Sequence, residues 1–244
     1  MSNVQDHYDQ LLGNVYTWMA GGFEAAVARN RQQLNSLGLA TWSKGLAVDL
    51  GCGSGFQSLP LAEAGFQVLG LDLCTTLLAE LRAHAGRWPI RTVLDDLTHF
   101  PDHLNAAPAL IVCMGDTLTH LPSIEALTML LHDVARTLAP GGRCVLGFRD
   151  LATHELKGPQ RFLPVRSEPD RLFTCFLDYH PAHVEVNDLL HERIDGEWKL
   201  SASCYRKLRF DAARACALLS ADGLSIEHAS TEQGLVRIVA LKSR

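Results

Sequence analysis

Apolar residues in this chain gather into short continuous runs, and the segments between them carry helical spacing. The runs Val48-Asp49-Leu50, Val68-Leu69-Gly70-Leu71, Thr92-Val93-Leu94, Ala109–Met114 and Cys144–Phe148 are of strand length and end at turn or acidic residues. Runs this continuous predict strands covered on both faces, as in a parallel sheet. Three helices are predicted between them. One runs from a Ser54-x-x-Gln57 capping box to Gly65, one covers about 75–84, and one follows the N-cap Ser123 to Leu138 with leucines at 127, 130, 131 and 138. Strands and helices in alternation, joined by right-handed crossovers, give a doubly wound α/β fold with a mostly parallel sheet. A helix over 211–221 and strands near 224–228 and 235–241 close the chain.

Between about 171 and 210 the period changes from helical to two. Trp198, Leu200, Ala202, Cys204, Leu208 and Phe210 form an apolar face, interrupted only by Arg206, while Lys199, Ser201, Ser203, Tyr205, Lys207 and Arg209 form a polar one. The basic cluster Arg206-Lys207-Arg209 therefore reads as the solvated edge of a sheet. Asp195-Gly196 marks a tight hairpin between this strand and the one over 183–194. With Leu172–Tyr179 the three strands make an inserted antiparallel meander above the carboxyl ends of the parallel strands, where doubly wound sheets bind ligands. The expected organisation is a helical cover over 1–44, an α/β core over 45–150, an antiparallel lid over 151–210, and a closing helix and strands over 211–244.

Composition narrows the function. Apolar residues make up 47% and charged ones 20% of 244, with no repeat or low-complexity tract, so one large globular unit is expected. A formal net charge of −5 argues against a nucleic-acid surface and favours a small-molecule substrate. No apolar stretch is long enough to span a bilayer and no secretory signal opens the chain, so no membrane partner and a cytoplasmic location are expected. The seven cysteines are scattered, with no C-x-x-C pair, and read as free thiols. His180 and His183 flank a turn, but no nearby carboxylate or cysteine completes a metal site, and no metal is expected.

The candidate chemistry begins at Asp49-Leu50-Gly51-Cys52-Gly53-Ser54-Gly55, where a buried strand empties into three alternating glycines. Glycine costs backbone entropy but permits positive φ and close approach to the main chain, so the expectation is a ligand seated on the turn. An ordinary strand-to-helix turn is the alternative. The dinucleotide fingerprint G-x-G-x-x-G would need glycine at 56, which is Phe56. Asp72 closes the second strand seventeen residues beyond Gly55, where an acid can accept from two ribose hydroxyls or cap a helix. Asp95 and Asp96 close the third strand, and Asp96 is the better placed of the two to accept from an adenine amino group.

The pattern D-x-G-x-G-x-G resembles motif I of the class I methyltransferases that use S-adenosylmethionine. A second segment, Val112-Cys113-Met114-Gly115-Asp116-Thr117-Leu118-Thr119-His120-Leu121-Pro122, resembles the glycine N-methyltransferase type, whose comparable segment reads Cys, an apolar residue, Gly, Asn, Ser, two residues, His, Leu, Pro. The likeness extends to Glu63-Ala64-Gly65-Phe66, Pro140-Gly141-Gly142, Arg149 and Tyr205–Arg209. It implies a seven-stranded Rossmann-like methyltransferase sheet with an antiparallel closing edge. It also implies that S-adenosylmethionine is held by Asp49, Gly51, Cys52, Gly53, Gly55, Asp72, Leu73, Asp95, Asp96, Leu97, Cys113, Met114, Gly115 and the aromatic Trp18, with S-adenosylhomocysteine as product. Arg149 matches the family arginine that binds a substrate carboxylate. The chain departs from the family where asparagine becomes Asp116 and Arg-Asn-Tyr becomes Arg149-Asp150-Leu151, which puts glycine itself in doubt as the substrate.

Methyl transfer is an in-line displacement in which positioning does most of the work. The acceptor implied is a small molecule, an amine or amino-acid-like nitrogen, contacted by Asp116, Arg149, Tyr179 and Tyr16. Asp116, or else His120 or Tyr179, would receive its proton. An oxygen or thiol acceptor, and a cofactor-binding protein without catalysis, are the competing readings. Oligomeric state is not legible.

Overall fold

The computed structural model describes residues 4–244. Five of the predicted runs become β1 (Leu46–Leu50), β2 (Gln67–Asp72), β3 (Ile90–Leu94), β4 (Leu110–Cys113) and β5 (Arg143–Arg149). These pair in parallel, and β10 (Leu224–Glu232) and β11 (Leu235–Lys242) add an antiparallel edge. The seven-stranded order is β10-β11-β5-β4-β1-β2-β3, so the winding reverses between β1 and β4 and opens a crevice at their carboxyl ends. Helices α3 (Phe23–Ser36) and α4 (Ser58–Glu63) lie on one face of the sheet, where Leu34, Leu61 and Phe66 pack with Ala47, Val112 and Val145. Helices α6 (Ile124–Thr137) and α7 (Ala212–Ala221) cover the other. The leucines at 127, 130 and 131 are sealed there against Val48, Leu50 and Ile111.

Of the two predicted helix caps, Ser123 is met: its Oγ accepts from Ala126 N at 3.2 Å. The last helix is capped by Asp211, whose Oδ1 accepts from Arg214 N at 2.8 Å. The other expectation is corrected: α4 begins at Ser58, and Ser54 caps nothing. Its hydroxyl instead donates to Glu80 Oε2 at 2.6 Å on α5 (Thr75–Ala85), a charged acceptor that outcompetes a helix amide.

The inserted sheet has four strands, not three: β6 (Phe162–Glu168), β7 (Arg171–Tyr179), β8 (His183–Ile194) and β9 (Glu197–Leu208), paired antiparallel in that order. β6 escapes periodicity because it is a largely exposed edge strand carrying Pro164. The turn joining β8 to β9 uses Asp195 at φ 54° and Gly196 at φ 85°, as a two-residue hairpin requires.

The polarity of β9 predicts burial at Leu208, and at Phe210 just beyond the strand, but misleads along the rest of it. Trp198 and Leu200 are 53% and 57% exposed, whereas Tyr205 on the polar face is 6% exposed. Ser203, Tyr205 and Lys207 lie opposite Asp188, Val186 and Val184 of β8, on the face turned toward the core. Arg209 is not solvated either. Its guanidinium donates to the carbonyls of Leu151, Ala152 and His180, joining the chain where it leaves β5 to where it returns from β9.

Ahead of the core, α1 (Val4–His7), a π-helical turn over Tyr8–Leu12 and α2 (Gly13–Met19) cross between the two sheets. No helix among the described residues is long and apolar enough to cross a membrane.

Candidate functional site

The glycine turn is built for backbone geometry first. Gly51, Gly53 and Gly55 have φ of 72°, 50° and 90°, a region in which a Cβ is strained. A Cβ on Gly51 would stand 2.3 Å from Thr117 Cγ2, and one on Gly55 would stand 2.2 Å from Leu81 Cδ1. Protein packing therefore accounts for two of the three glycines, which corrects the expectation that a ligand alone explains them. Gly53 has nothing closer than 3.6 Å. Asp72 holds the turn: Oδ2 accepts from Gly53 N and Oδ1 from Cys74 N, both at 2.8 Å.

A cavity with about 790 Å³ of empty space, part of it open to solvent, lies over this turn. Gly51 and Gly53 floor it, Asp72, Leu73, Asp96 and Leu97 line the ends of β2 and β3, and Gly115, Thr117 and His120 line the end of β4. Val4, Gln5, Tyr8 and Tyr16 roof it from the N-terminal segment. Those groups suit an adenosyl sulfonium. Two acids at strand ends can accept from hydroxyl or amino groups, exposed glycine backbone admits close approach, and tyrosine faces favour a cation. Burial also raises the Tyr8 and Tyr16 phenols well above their ordinary value, so both stay neutral.

Several residues of the expected cofactor set lie outside this lining. Asp49 is buried behind it, accepting from Ser58 Oγ at 2.6 Å, and burial pushes its carboxyl up to about 7 despite that bond. Cys52 packs with Leu78 and Leu81, and Gly55 also meets Leu81. Cys113 and Met114 belong to the two cores on either side of the sheet. Asp95 binds His99 and His103 at 3.0 and 2.7 Å, bonds that hold its carboxylate well below the usual range. Trp18 stacks under the guanidinium groups of Arg166 and Arg171, away from the cavity. Tyr179 is likewise elsewhere, its ring 5.5 Å from the Arg209 guanidinium.

A second cavity meets the first at Tyr8, Tyr16, Gly115 and His120 and extends beneath the inserted sheet. Its apolar wall includes Leu12, Leu151, Phe173, Leu177 and Val186, and its polar groups are Asp116, Arg149, Lys207, Asp188, Cys175 and Tyr205. Asp116, at φ 75°, accepts from Arg149 N at 2.6 Å and from Lys207 Nζ at 2.9 Å, with Arg149 Nε 3.7 Å away. Burial alone would raise its carboxyl, but Lys207 and Arg149 hold it down at about 2. So anchored, Asp116 fixes two cations and is a poor proton acceptor at neutral pH. His120 is the converse. Burial and then Lys207 lower it to about 3, and its Nδ1 is buried without a hydrogen-bond partner. It is a neutral imidazole on the wall shared by both cavities.

Asp150, the second acid after β5, is a turn cap that accepts from Ala152 N and Thr153 N at 2.9 Å each. Sequence reasoning missed Lys207, assigned to a solvated edge, and missed the Ser54–Thr17–Glu80 cluster that ties α2 to the glycine turn. A lysine with period-two neighbours gave no signal of its partner. Only pairing with β8 turns it inward.

Comparisons with known proteins agree with this geometry. Residues 47–142 match a family model described as a methyltransferase domain. A glycine/sarcosine N-methyltransferase from Aphanothece halophytica is 30% identical over 105 residues, 42% of this chain and 40% of that protein. A ubiquinone biosynthesis O-methyltransferase from Psychrobacter arcticus is 32% identical over 125 residues, 49% of this chain and 46% of the relative. The chain thus spans less than half the length of the curated relatives it matches. Among solved structures, the CcbJ methyltransferase from Streptomyces caelestis superposes with a TM-score of 0.78 at 18% identity, covering 98% of this chain and 99% of that one. CalS10, an amino pentose methyltransferase from Micromonospora echinaspora, gives 0.71 at 18% identity, covering 89% and 90%. Residues 47–142 are a methyltransferase domain, set in a chain whose fold is that of the S-adenosylmethionine-dependent methyltransferases.

Proposed function

We propose that this protein transfers the methyl group of S-adenosylmethionine to an amine nitrogen of a small, anion-bearing molecule. The observation that carries the reading is His120, a buried neutral imidazole with an unpartnered Nδ1 where the two cavities meet. Bound in the first cavity, the cofactor supplies a methyl group already activated by its sulfonium charge. Asp72 and Asp96 would accept from its hydroxyl and amino groups, and Tyr16 would face the positive centre. His120, neutral on the wall shared with the second cavity, would accept a hydrogen bond at Nδ1 from an acceptor's N–H and orient it, the amine arriving already deprotonated. Arg149 and Lys207 stand together at one end of this cavity, which also holds Asp116 and Asp188, and their donors could take a carboxylate or similar anion. The inserted sheet supplies an apolar wall of this cavity, Phe173, Leu177 and Val186, which suits a step in which positive charge disperses.

An oxygen acceptor is the second reading. The O-methyltransferase match is the longer of the two, and a hydroxyl could equally donate a hydrogen bond to the His120 imidazole.

The test is a thermal-shift titration of the wild type and Asp72→Ala with S-adenosylmethionine, S-adenosylhomocysteine and NAD, followed by radiolabelled methyl transfer to a panel of amines and phenols. A ligand that binds only the folded state raises the midpoint. The reading expects stabilisation by the two adenosyl compounds, lost in the variant, and transfer to amines that fails in His120→Ala. No shift with either adenosyl compound would overturn it. Transfer confined to phenols would replace the amine with oxygen.

A further inference from the structure

His7 is fully buried between the N-terminal segment and the inserted sheet, and nothing in the proposed chemistry uses it. Its Nδ1 is hydrogen-bonded to Ser203 Oγ on β9 at 2.8 Å, and its Nε2 stands 3.2 Å from Asp188 Oδ2 on β8, within ion-pair distance but not aligned as a hydrogen bond. The imidazole also stacks on Tyr205 with ring centroids 4.1 Å apart. Asp188 is 3% exposed. Two polar groups and a carboxylate brought together out of water are costly to lose singly.

The position of this cluster gives it a consequence. The first cavity takes no lining residue from the inserted sheet, and its roof is Val4, Gln5, Tyr8 and Tyr16. The second cavity takes Asp188, Tyr205 and Lys207 from that sheet, and Tyr8 and Tyr16 serve both. His7 directly precedes Tyr8, their rings meet edge to face with centroids 5.7 Å apart, and the imidazole reaches on to the sheet. The roof of one cavity is therefore fastened to the wall of the other by a buried polar side chain, beside the apolar packing of Leu11, Leu12 and Val15 on Phe173 and Leu190.

We propose that His7 is a positioning residue that couples the two cavities: held by Asp188 and Ser203, it fixes Tyr8 over the cofactor, and an ordered cofactor in turn orders the sheet that forms the acceptor wall. The inference rests on the reading that the first cavity binds the adenosyl cofactor. Coupling of this kind is reciprocal, so a change in the sheet must be felt at the cofactor.

Asp188→Ala is the decisive variant because Asp188 touches no part of the first cavity. Affinity for S-adenosylhomocysteine is measured by calorimetry in the wild type, His7→Ala, Asp188→Ala and the double variant, with unfolding followed by circular dichroism to report stability separately. The expected result is an affinity loss of about tenfold in each single variant and no further loss in the double, since both cut one link. His7→Gln, which keeps a polar group toward the sheet, is expected to recover part of the loss. Amide exchange over 183–208 is expected to slow on ligand binding in the wild type and not in His7→Ala. If Asp188→Ala fails to fold, Ser203→Ala cuts the hydrogen bond and carries the same expectation. Wild-type affinity in the sheet variants, or additive losses in the double, would overturn the coupling while leaving the cofactor reading intact. Failure of the wild type to bind would overturn the cofactor reading itself, and the coupling with it.

Discussion

Replacing the turn glycines one at a time by alanine separates what packing demands from what a ligand demands. Gly53 and Gly55 both sit at positive φ, 50° and 90°, so each alanine meets backbone strain of about 1 to 2 kcal/mol. Only Gly55 meets a neighbour: its Cβ would lie 2.2 Å from Leu81 Cδ1, a side chain with no exposure and no room to retreat. Overpacking of that kind adds about 1 to 3 kcal/mol. Gly55→Ala should therefore destabilise by about 2 to 5 kcal/mol and Gly53→Ala by about 1 to 2, read as urea midpoints at constant m in the absence of ligand. Removing the obstacle should expose the origin of the difference. In Gly55→Ala combined with Leu81→Ala, the total loss should fall short of the sum of the single losses by about 1 to 3 kcal/mol. Gly53→Ala, by contrast, should weaken S-adenosylhomocysteine binding more than it weakens the fold, because its methyl group enters the cavity floor. Equal destabilisation by the two alanines, or strict additivity with Leu81→Ala, would refute this account of the turn.

Two buried groups should give the stability curve opposing slopes. The Asp49 carboxyl, raised from 3.8 to about 7, keeps its proton in the folded chain where the unfolded chain has lost it, so its contribution falls as pH rises through that window. His120, lowered from 6.5 to about 3, stays neutral where the unfolded chain is protonated, so its contribution is lost as pH falls through its window. From pH 3.8 to 6.5 the two oppose each other. Asp49→Asn should then lose stability on acidification over that range and His120→Gln should gain it, and urea midpoints of the same slope in both would sink the assignment. Lys207→Met leaves Asp116 buried with Arg149 as its remaining cation, and should cost up to about 3 kcal/mol. The same change should move the His120 titration, followed by histidine proton NMR, upward from about 3, and an unmoved midpoint would remove Lys207 from the environment of the imidazole. Ser58→Ala removes the 2.6 Å hydroxyl bond to Asp49 and should cost about 2 kcal/mol, with unchanged stability counting against that bond.

What the sequence could reveal depended on how local the cause was. Continuous apolar runs, the Ser123 cap and the helix opening at 211 are settled by neighbours in the chain, and each lies where it was read. Alternation along β9 showed two faces but not which one met the core, and over most of the strand polarity pointed the wrong way. The inward face carries Ser203, Tyr205 and Lys207 because it lines a cavity, while Trp198 and Leu200 lie toward the hairpin end of the strand and stay in solvent. Asp116 looked like a lone acid because its partner Lys207 is 91 residues away. His7 carried no signal at all, since its value lies in a contact with residue 203. Burial of paired polar groups is a property of tertiary structure, and no spacing rule reports it.

Arg209 binds the carbonyls of Leu151 and Ala152, and so pins the two ends of the inserted sheet together at one point on the core. An excursion of more than fifty residues is thereby reduced to a loop with a closed neck, whose entry and exit impose almost no register on the seven strands beneath. Such a loop can change length without shifting the strands beneath it, so whatever the inserted sheet passes to the cofactor half travels through side chains such as His7 and not through the chain at its neck. The matched family model stops at residue 142 while the overall backbone follows its structural neighbours nearly from end to end. The matched stretch ends before β5, and everything the neck encloses lies beyond it.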